Sequence, residues 1–297
     1  MSETRFHKVL LIVNPASRRG AKMARKAAMA FHELGCSLDT MMTESPGHGA
    51  ELAAKHGSEY DAVFTLGGDG TAIEVVGALS HTGPPVGILP GGTGNVVART
   101  LGTSANVRKA VRSLLQGDEA RIDLGRLASG QRFMIGMGVG LDATMIFYAP
   151  GPLKRRIGFF AYVVAAARAF VRLEKFTVRL TVDGTMTEER ASAVLIANFG
   201  AVIHNLLSFG DGILRDDGLL NACVYSPGNR IDAMRILWRM ARKNFGPDPC
   251  IRYISGSTFR VETLPPRLGQ ADGELIGNSP FEVTVEPLAA RVLVPKA

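Results

Sequence analysis

Residues 62 to 76, AVFTLGGDGTAIEVV, decide how the rest of the chain is read. Ala62 to Leu66 is an apolar run rich in strand formers. It ends in Gly67-Gly68-Asp69-Gly70-Thr71, and a helical pattern follows with Ile73, Val76 and Leu79 on one face. Strand, glycine turn and helix in that order aim main-chain N–H groups and a positive helix end at an anion. Glycine lets the backbone approach phosphate oxygens closely and tolerates positive φ. Asp69 is the odd member, because a carboxylate repels phosphates. It fits if a divalent cation lies between them, since Mg²⁺ takes one or two carboxylates together with phosphate oxygens. The spacing therefore points to a Mg-nucleotide site. The alternative is a tight turn whose Asp69 caps the next helix.

The first 120 residues repeat this alternation. Apolar runs at 8–13, 37–43, 62–66 and 85–90 read as strands. Between them, Ala21 to Leu34 carries Met23, Ala27, Ala30, Phe31 and Leu34 at helical spacing with Gly35 as its stop, and Ala50 to His56 is closed by Gly57. Alternating β and α elements imply a doubly wound parallel sheet, whose ligands sit outside the carboxyl ends of the strands. The glycine clusters fall at those ends.

After a helix at Asn106–Gln116 the pattern changes to β-type alternation, from RIDLGRL (121–127) to FEVTVEP (281–287), interrupted by two helices. This reads as a mainly antiparallel second domain, a sandwich. The tail ARVLVP suggests an extra strand returning to the first domain. A chain of 297 residues is long for one hydrophobic core and suits two domains. Hydrophobic content of 46% and charged content of 21% fit an ordinary globular protein. The polar start MSETRFHK and the absence of a long apolar run argue against a signal peptide or a membrane span. Net charge +7 favours an acidic partner: a nucleotide, a nucleic acid or an anionic membrane face. Cys36, Cys223 and Cys250 form no CxxC pair and read as reduced core residues of a cytosolic protein, not as disulfides or a zinc site.

Four further stretches carry chemistry. Asn14-Pro15-Ala16-Ser17 follows the first strand, where Asn14 and Ser17 either bond a nucleotide or form a turn and helix cap. Leu89 to Asn95, LPGGTGN, is a second strand–glycine–helix nest offering Thr93 and Asn95, and neither nest is followed by the GK[ST] of a Walker loop. Leu214 to Leu219, LRDDGL, holds a carboxylate and turn carbonyls suited to a hard cation, or is a plain turn. Ala271-Asp272-Gly273-Glu274 places two carboxylates on one face if extended, as orienter and general base, or is a solvent-facing hairpin.

Taken in order, NPAS, GGDGT, PGGTGN, DGLL and DGE resemble the diacylglycerol kinase catalytic-domain family, which includes bacterial lipid kinases and the sphingosine and ceramide kinases. The resemblance covers nearly the whole chain. It implies an α/β nucleotide domain at 1–122, with 288–297 as a returning strand, a lipid-binding β-sandwich at 123–287, and an active site in the cleft between them. It implies an ATP-dependent lipid kinase using ATP and Mg²⁺, transferring the γ-phosphate to a hydroxyl of a lipid such as diacylglycerol. By position it assigns Thr43 to the nucleotide, and Gly67, Gly68, Asp69, Gly70, Thr71, Ala72, Ile73 and Thr93 to its phosphates. Asp217 with backbone oxygens of Leu214 and Leu219 resembles the family's structural Mg²⁺ site. Glu274 matches the general base and Asp123 a supporting carboxylate, while Asp69 would hold the catalytic Mg²⁺. One departure stands out: many relatives carry Asp where this chain has Val96.

Rival readings are a sphingoid-base or ceramide kinase, an NAD kinase sharing GGDGT, and a nucleotide-binding regulatory protein without catalysis, motivated by Val96. GMGVGLD is one position off a dinucleotide fingerprint and lacks a surrounding βαβ unit. No nucleic-acid module is present, so DNA or RNA is not an expected partner. Expected partners are a lipid, an anionic membrane surface and, for a homo-oligomer, a second copy. The expected location is cytoplasmic and peripheral to a membrane. Two helices bear on that contact. One, about Leu153 to Arg172, is apolar almost all round. In the other, Ile231 to Phe245, the stripe Met234, Leu237, Trp238, Ala241 and Phe245 lies beside Arg235, Arg239, Arg242 and Lys243. That stripe is expected to pack on the sandwich, the usual use of amphipathicity, with an anionic interface as the alternative.

Overall fold

The computed structural model describes residues 5–17, 20–140, 174–202, 207–210 and 212–296. The helix expected at about Leu153–Arg172 lies outside the described residues. The chain divides into two compact units, Met1–Ile122 with Leu288–Ala297, and Asp123–Pro287.

In the first unit β1 (Lys8–Val13), α1 (Gly20–Glu33), β2 (Ser37–Met42), α2 (His48–His56), β3 (Ala62–Gly67), α3 (Asp69–Ala78) and β4 (Val86–Pro90) follow one another. The four strands are parallel in the order β2-β1-β3-β4. β3 and β4 are buried at every residue, as is β1 beyond Lys8, because helices cover both faces of such a sheet. Among the described strands β2 lies at the edge of this sheet, and its Asp39 and Thr40 are exposed. The core joins Leu11 and Val13 to Phe31, Phe64, Leu66 and Leu114, with Phe31 and Phe64 edge to face at 4.8 Å. α4 (Val96–Thr100) and α5 (Val107–Leu115) complete the helices, α5 being capped by Asn106, whose side chain accepts the amides of Arg108 and Lys109. In α3 the buried face is Thr71, Ala72, Val75 and Val76. Ile73 is only half-buried, which corrects the face expected from Ile73, Val76 and Leu79.

β5 (Asp118–Leu127) runs from the first unit into the second. There β6 (Arg132–Phe133), β7 (Gly136–Gly140), β8 (Phe176–Val182), β9 (Thr185–Ala191), β10 (Ala193–Ala197), β11 (Ala201–Val202), β12 (Leu207–Ser208) and β13 (Leu220–Tyr225) follow. After the helix α6 (Arg230–Ala241) come β14 (Ile251–Gly256), β15 (Thr258–Leu264), β16 (Leu268–Ala271), β17 (Glu274–Asn278) and β18 (Phe281–Val294). One antiparallel sheet has the order β14-β13-β10-β7-β16-β17. β8 is flanked by β9 and β15, and β15 pairs with the start of β18, Val261 opposite Phe281. Side chains from both layers meet in one core, with Met137, Val194, Ile196 and Val224 from the first and Val178, Leu180, Phe259 and Val261 from the second. This is the sandwich that period-2 alternation requires, seen plainly in β8, where buried and half-buried residues alternate. The later part of β18 belongs to the first unit and sets Val292 opposite Val86 in parallel. Gly136 to Gly140 is an antiparallel strand between β10 and β16.

α6 corrects an expectation. It buries Ala233, Ile236 and Met240, at 1%, 5% and 8% exposure, while Met234 and Trp238 stand out at 68% and 60%. Met234 and Trp238 of the expected stripe therefore face solvent, because the helix turns Ala233, Ile236 and Met240 inward instead; it ends at Ala241, and Phe245 lies half-buried beyond it. The side chains of Leu237 and Ala241 lie outside the described residues.

Candidate functional site: two docked glycine loops and a carboxylate network

In the first unit the two glycine loops leave the carboxyl ends of adjacent strands, with Gly67 opposite Pro90. They touch main chain to main chain. The Gly91 amide donates to the Gly67 carbonyl at 3.0 Å. A Cβ on Gly91 would lie 2.9 Å from the Gly67 nitrogen, and one on Gly92 would lie 2.6 Å from the Gly68 Cα. Only glycine permits that approach. At Gly68 itself the space is open, with nothing within 4 Å of an added Cβ.

Asp69 links the loops. It is the first residue of α3, and Gly68 rather than Asp69 occupies the cap position. That removes the plain helix-cap reading. Asp69 Oδ1 accepts the Val97 amide at 2.9 Å, and Oδ2 lies beside Gly94, where a Cβ would be 3.1 Å away. Asn95 is left-handed at φ 50 and closes the second loop on itself: Oδ1 accepts the Gly92 amide at 2.8 Å and Nδ2 donates to the Gly92 carbonyl at 2.9 Å. Its side chain shapes the loop.

Asn14 holds the neighbouring turn in the same way. Its amide donates to the Leu66 carbonyl, its Nδ2 to Thr71 Oγ1 at 3.2 Å, and its Oδ1 accepts the Ala16 amide. Ser17 Oγ is buried without a hydrogen-bond partner among the described residues. A buried hydroxyl beside an anion-directed loop is a donor waiting for an acceptor. Thr43 is buried at the end of β2, its amide on the Val13 carbonyl, whereas Thr93 is half-buried in the second loop. Thus Asn14, Gly67, Gly68, Asp69, Thr71 and Asn95 are brought together, with Gly70, Ala72 and Ile73 continuing into α3.

The second unit carries a separate network. Asp123 is fully buried. Its Oδ2 accepts the Gly218 amide at 2.8 Å, its amide donates to the Arg215 carbonyl at 2.7 Å, and its carbonyl accepts from Asn198 Nδ2 at 2.7 Å. Asp123 therefore fixes the turn that presents Asp217. Asp217 is exposed and accepts the Leu219 amide at 3.0 Å on Oδ1, and Leu214 and Leu219 flank it, also exposed. One exposed carboxylate with turn carbonyls matches the oxygen donors of a hard cation that keeps its waters. No group of three or more acidic, His or Cys side chains is placed to hold a metal ion among the described residues. Mg²⁺ at Asp69 or Asp217 would therefore rely on phosphate, carbonyl or water oxygens, which is its habit, and the residues fit it in that sense.

Asp272 and Glu274 do not share a strand face. Asp272 and Gly273 form the two-residue turn between β16 and β17, at φ 47 and 93, the left-handed pair such hairpins require. Nor does the Asp272 carboxylate point to solvent. Asp272 Oδ2 accepts the Met134 amide at 2.6 Å, and Oδ1 accepts those of Ile135 and Gly136 at 2.9 and 3.0 Å. The Asp272 carboxylate thus anchors the hairpin whose next residue but one, Glu274, is exposed at the start of β17. Asn198, which the sequence reading missed, bridges the two carboxylate networks: Nδ2 donates to both the Asp123 and Met134 carbonyls, while Oδ1 is buried without a partner among the described residues. Its signal was a polar residue closing the apolar run AVLIA.

With this geometry in hand, comparison with known proteins is informative. Residues 8–127 match the family profile of the diacylglycerol kinase catalytic domain, and residues 137–294 match that of the YegS C-terminal NAD kinase beta sandwich-like domain. A diacylglycerol kinase of Mycobacterium tuberculosis (strain H37Rv) is 29% identical over 304 residues, covering 97% of this chain and 96% of its own. One of Staphylococcus saprophyticus is 24% identical over 278 residues, covering 91% and 90%. A Synechocystis protein without an assigned function is 29% identical over 238 residues, and the match spans only 54% of that longer protein. A crystal structure from Bacillus anthracis str. Sterne, provisionally described as a diacylglycerol kinase, superposes with TM-score 0.81 at 25% identity over 98% of both chains. The chain carries a diacylglycerol kinase catalytic domain at residues 8–127 and belongs to the family defined by the YegS-type C-terminal domain at residues 137–294.

Proposed function

We propose that this chain is an ATP-dependent lipid kinase that transfers the γ-phosphate to a hydroxyl of a lipid such as diacylglycerol. The observation that carries the reading is the docking of Gly91 and Gly92 on Gly67 and Gly68 with the Asp69 carboxylate tied to Val97, since it offers two sets of main-chain N–H groups and one carboxylate together. The choice of a lipid as acceptor is supported by the family.

In this reading the unit Met1–Ile122 with Leu288–Ala297 binds the nucleotide, and Asp123–Pro287 receives the lipid. The main-chain amides of the two loops and the hydroxyls of Ser17, Thr43 and Thr93 bind and orient the triphosphate. Asn14 and Asn95 hold the loops in shape. Asp69 would hold Mg²⁺ at the phosphates and Asp217, with main-chain oxygens of Leu214 and Leu219, a second Mg²⁺. When bound, the catalytic ion neutralises charge that develops on the transferred phosphoryl group. Glu274 accepts the proton of the attacking hydroxyl. Asp272 and Asp123 act through position, the first by anchoring the hairpin of Glu274 and the second by fixing the turn of Asp217. Val96 leaves Asp69 without the neighbouring carboxylate common in relatives.

The test is incubation of the purified chain with radiolabelled ATP, Mg²⁺ and a panel of hydroxyl lipids (diacylglycerol, monoacylglycerol, a sphingoid base, ceramide), with NAD as a further acceptor. Label in a lipid and none in NAD is expected. Label in NAD alone would make the chain an NAD kinase, and ATP binding without transfer would make it a regulatory protein.

A further inference from the structure

The solvent face of α6 carries three large apolar side chains, where a soluble helix is normally polar throughout. At 100° per residue, the buried Ala233, Ile236 and Met240 define one side, and Ile231 and Trp238 stand almost opposite, with Met234 next to them. These three are 77%, 60% and 68% exposed. The stripe is rimmed by cations. Residues 228–250 hold Arg230, Arg235, Arg239, Arg242 and Lys243 against Asp232 and Asp248.

The acidic residues are turned to structural use. Asp232 accepts the Gly228 amide at 3.0 Å, and Asp248 pairs with Arg235 and Arg239 at 3.2 and 3.5 Å, which clamps the helix to the segment behind it. Arg230, Arg242 and Lys243 are exposed at the ends of the helix, and the Arg242 guanidinium stacks over the Trp238 ring at 4.2 Å. An indole with a guanidinium beside it, flanked by aliphatic side chains, is the composition of a helix lying at a lipid–water boundary.

We infer that α6 is the surface by which this chain meets an anionic membrane, with Ile231, Met234 and Trp238 entering the headgroup layer and Arg230, Arg242 and Lys243 meeting lipid phosphates. Its purpose, delivery of a lipid hydroxyl, rests on the lipid kinase reading above. Charge complementarity favours this occupant over a protein. Three side chains on one helix face also fall well short of the ~800 Å² per partner that a stable protein interface buries.

Trp238 is the sole tryptophan, so its fluorescence reports on this face alone. The full chain is titrated with vesicles of phosphatidylcholine, with or without phosphatidylglycerol. Mixed vesicles are expected to shift emission to the blue and shield Trp238 from acrylamide, with little change on phosphatidylcholine alone. The double variants Ile231→Ser/Met234→Ser and Arg242→Glu/Lys243→Glu, which keep the reporter, should each weaken binding roughly tenfold or more. Both should keep wild-type turnover on a monomeric short-chain diacylglycerol and lose it on vesicles. Sedimentation with mixed vesicles at unchanged emission would overturn the inference, as would no sedimentation at all. So would a blue shift that needs only higher protein concentration, which would make the occupant a second copy. A wild-type blue shift on mixed vesicles with no transfer to any lipid would uphold the surface and refute the kinase reading instead.

Discussion

Asp69 Oδ1 accepts the main-chain amide of Val97 at 2.9 Å, so the carboxylate of the first glycine loop ties down the helix that follows the second. Asp69 therefore has a structural use and a proposed electrostatic one, and two substitutions separate them. Asn retains an oxygen for the Val97 amide but carries no charge. Asp69→Asn is expected to melt within a few degrees of wild type and to lose ~10²-fold or more in transfer, the scale of removing a charge that stabilises phosphoryl transfer. Asp69→Ala also orphans the amide, at about 1–3 kcal/mol, and should melt clearly lower. Thermal unfolding and label transfer on the same preparations check this, and equal melting of the two variants would remove the structural half.

The glycines of the docked loops divide by what a methyl group would meet. On Gly91 it would press into the Gly67 main chain and on Gly92 into the Gly68 Cα, neither of which can swing aside. Gly91→Ala and Gly92→Ala should each destabilise by about 1–3 kcal/mol through overpacking. Gly68→Ala meets nothing within 4 Å, and φ −86 suits alanine. It should melt like wild type yet bind ATP more weakly, because the methyl group stands in the open space that phosphates would use. Melting curves and equilibrium ATP binding separate the two outcomes.

How far these features were legible differs by region. β1, β3 and β4 were readable because a parallel strand buried on both faces must be mainly apolar, and VLLIV, AVFTL and PVGILP are. The second glycine nest was readable because PGGTGN repeats the strand–turn–helix order. The roles of Asp272 and Asn95 were not. Each side chain satisfies main-chain groups: Asp272 those of Met134 to Gly136 at more than 130 residues' separation, which no local pattern records, and Asn95 those of Gly92 three residues back, a loop-closing use that an Asn after a glycine turn does not by itself distinguish from ligand contact. The outward face of α6 escaped for another reason: periodicity finds an apolar stripe but does not say which of two stripes turns inward. Here Ala233, Ile236 and Met240 turn inward, leaving Met234 and Trp238 outside.

Asp272 and Glu274, two residues apart, should fail in different ways. Asp272→Ala leaves the amides of Met134, Ile135 and Gly136 without their acceptor. Its first effect should be on stability, with turnover falling because the hairpin that carries Glu274 loosens. Glu274 is exposed, and Glu274→Gln should leave melting unchanged while lowering kcat ~10²-fold, a typical general-base contribution. Near-wild-type kcat in Glu274→Gln would remove it from that role. Undiminished melting in Asp272→Ala would show that the anchor does not matter to the fold.

The ion pair at the C-terminal strand sets a pH dependence. Arg291 Nε and Nη2 grip the two carboxylate oxygens of Glu119 at 2.7 and 3.0 Å, and Nη1 donates to the Gly83 carbonyl. The hydrogen bond from Arg291 outweighs the opposing effect of partial burial and holds the Glu119 carboxyl below its ordinary range. A folded-state value below the unfolded one means stability that is present above the ordinary carboxylate range and lost as pH falls through the folded value. Glu119→Gln should therefore melt lower than wild type at neutral pH, with the gap closing as pH is taken below about 4. Both residues are partly exposed, so added salt should narrow the gap at neutral pH as well. Melting of wild type and Glu119→Gln between about pH 3 and 7, at low and high salt, measures it. A gap that persists unchanged in acid would mean that Glu119 holds the C-terminal strand by shape, and not by charge.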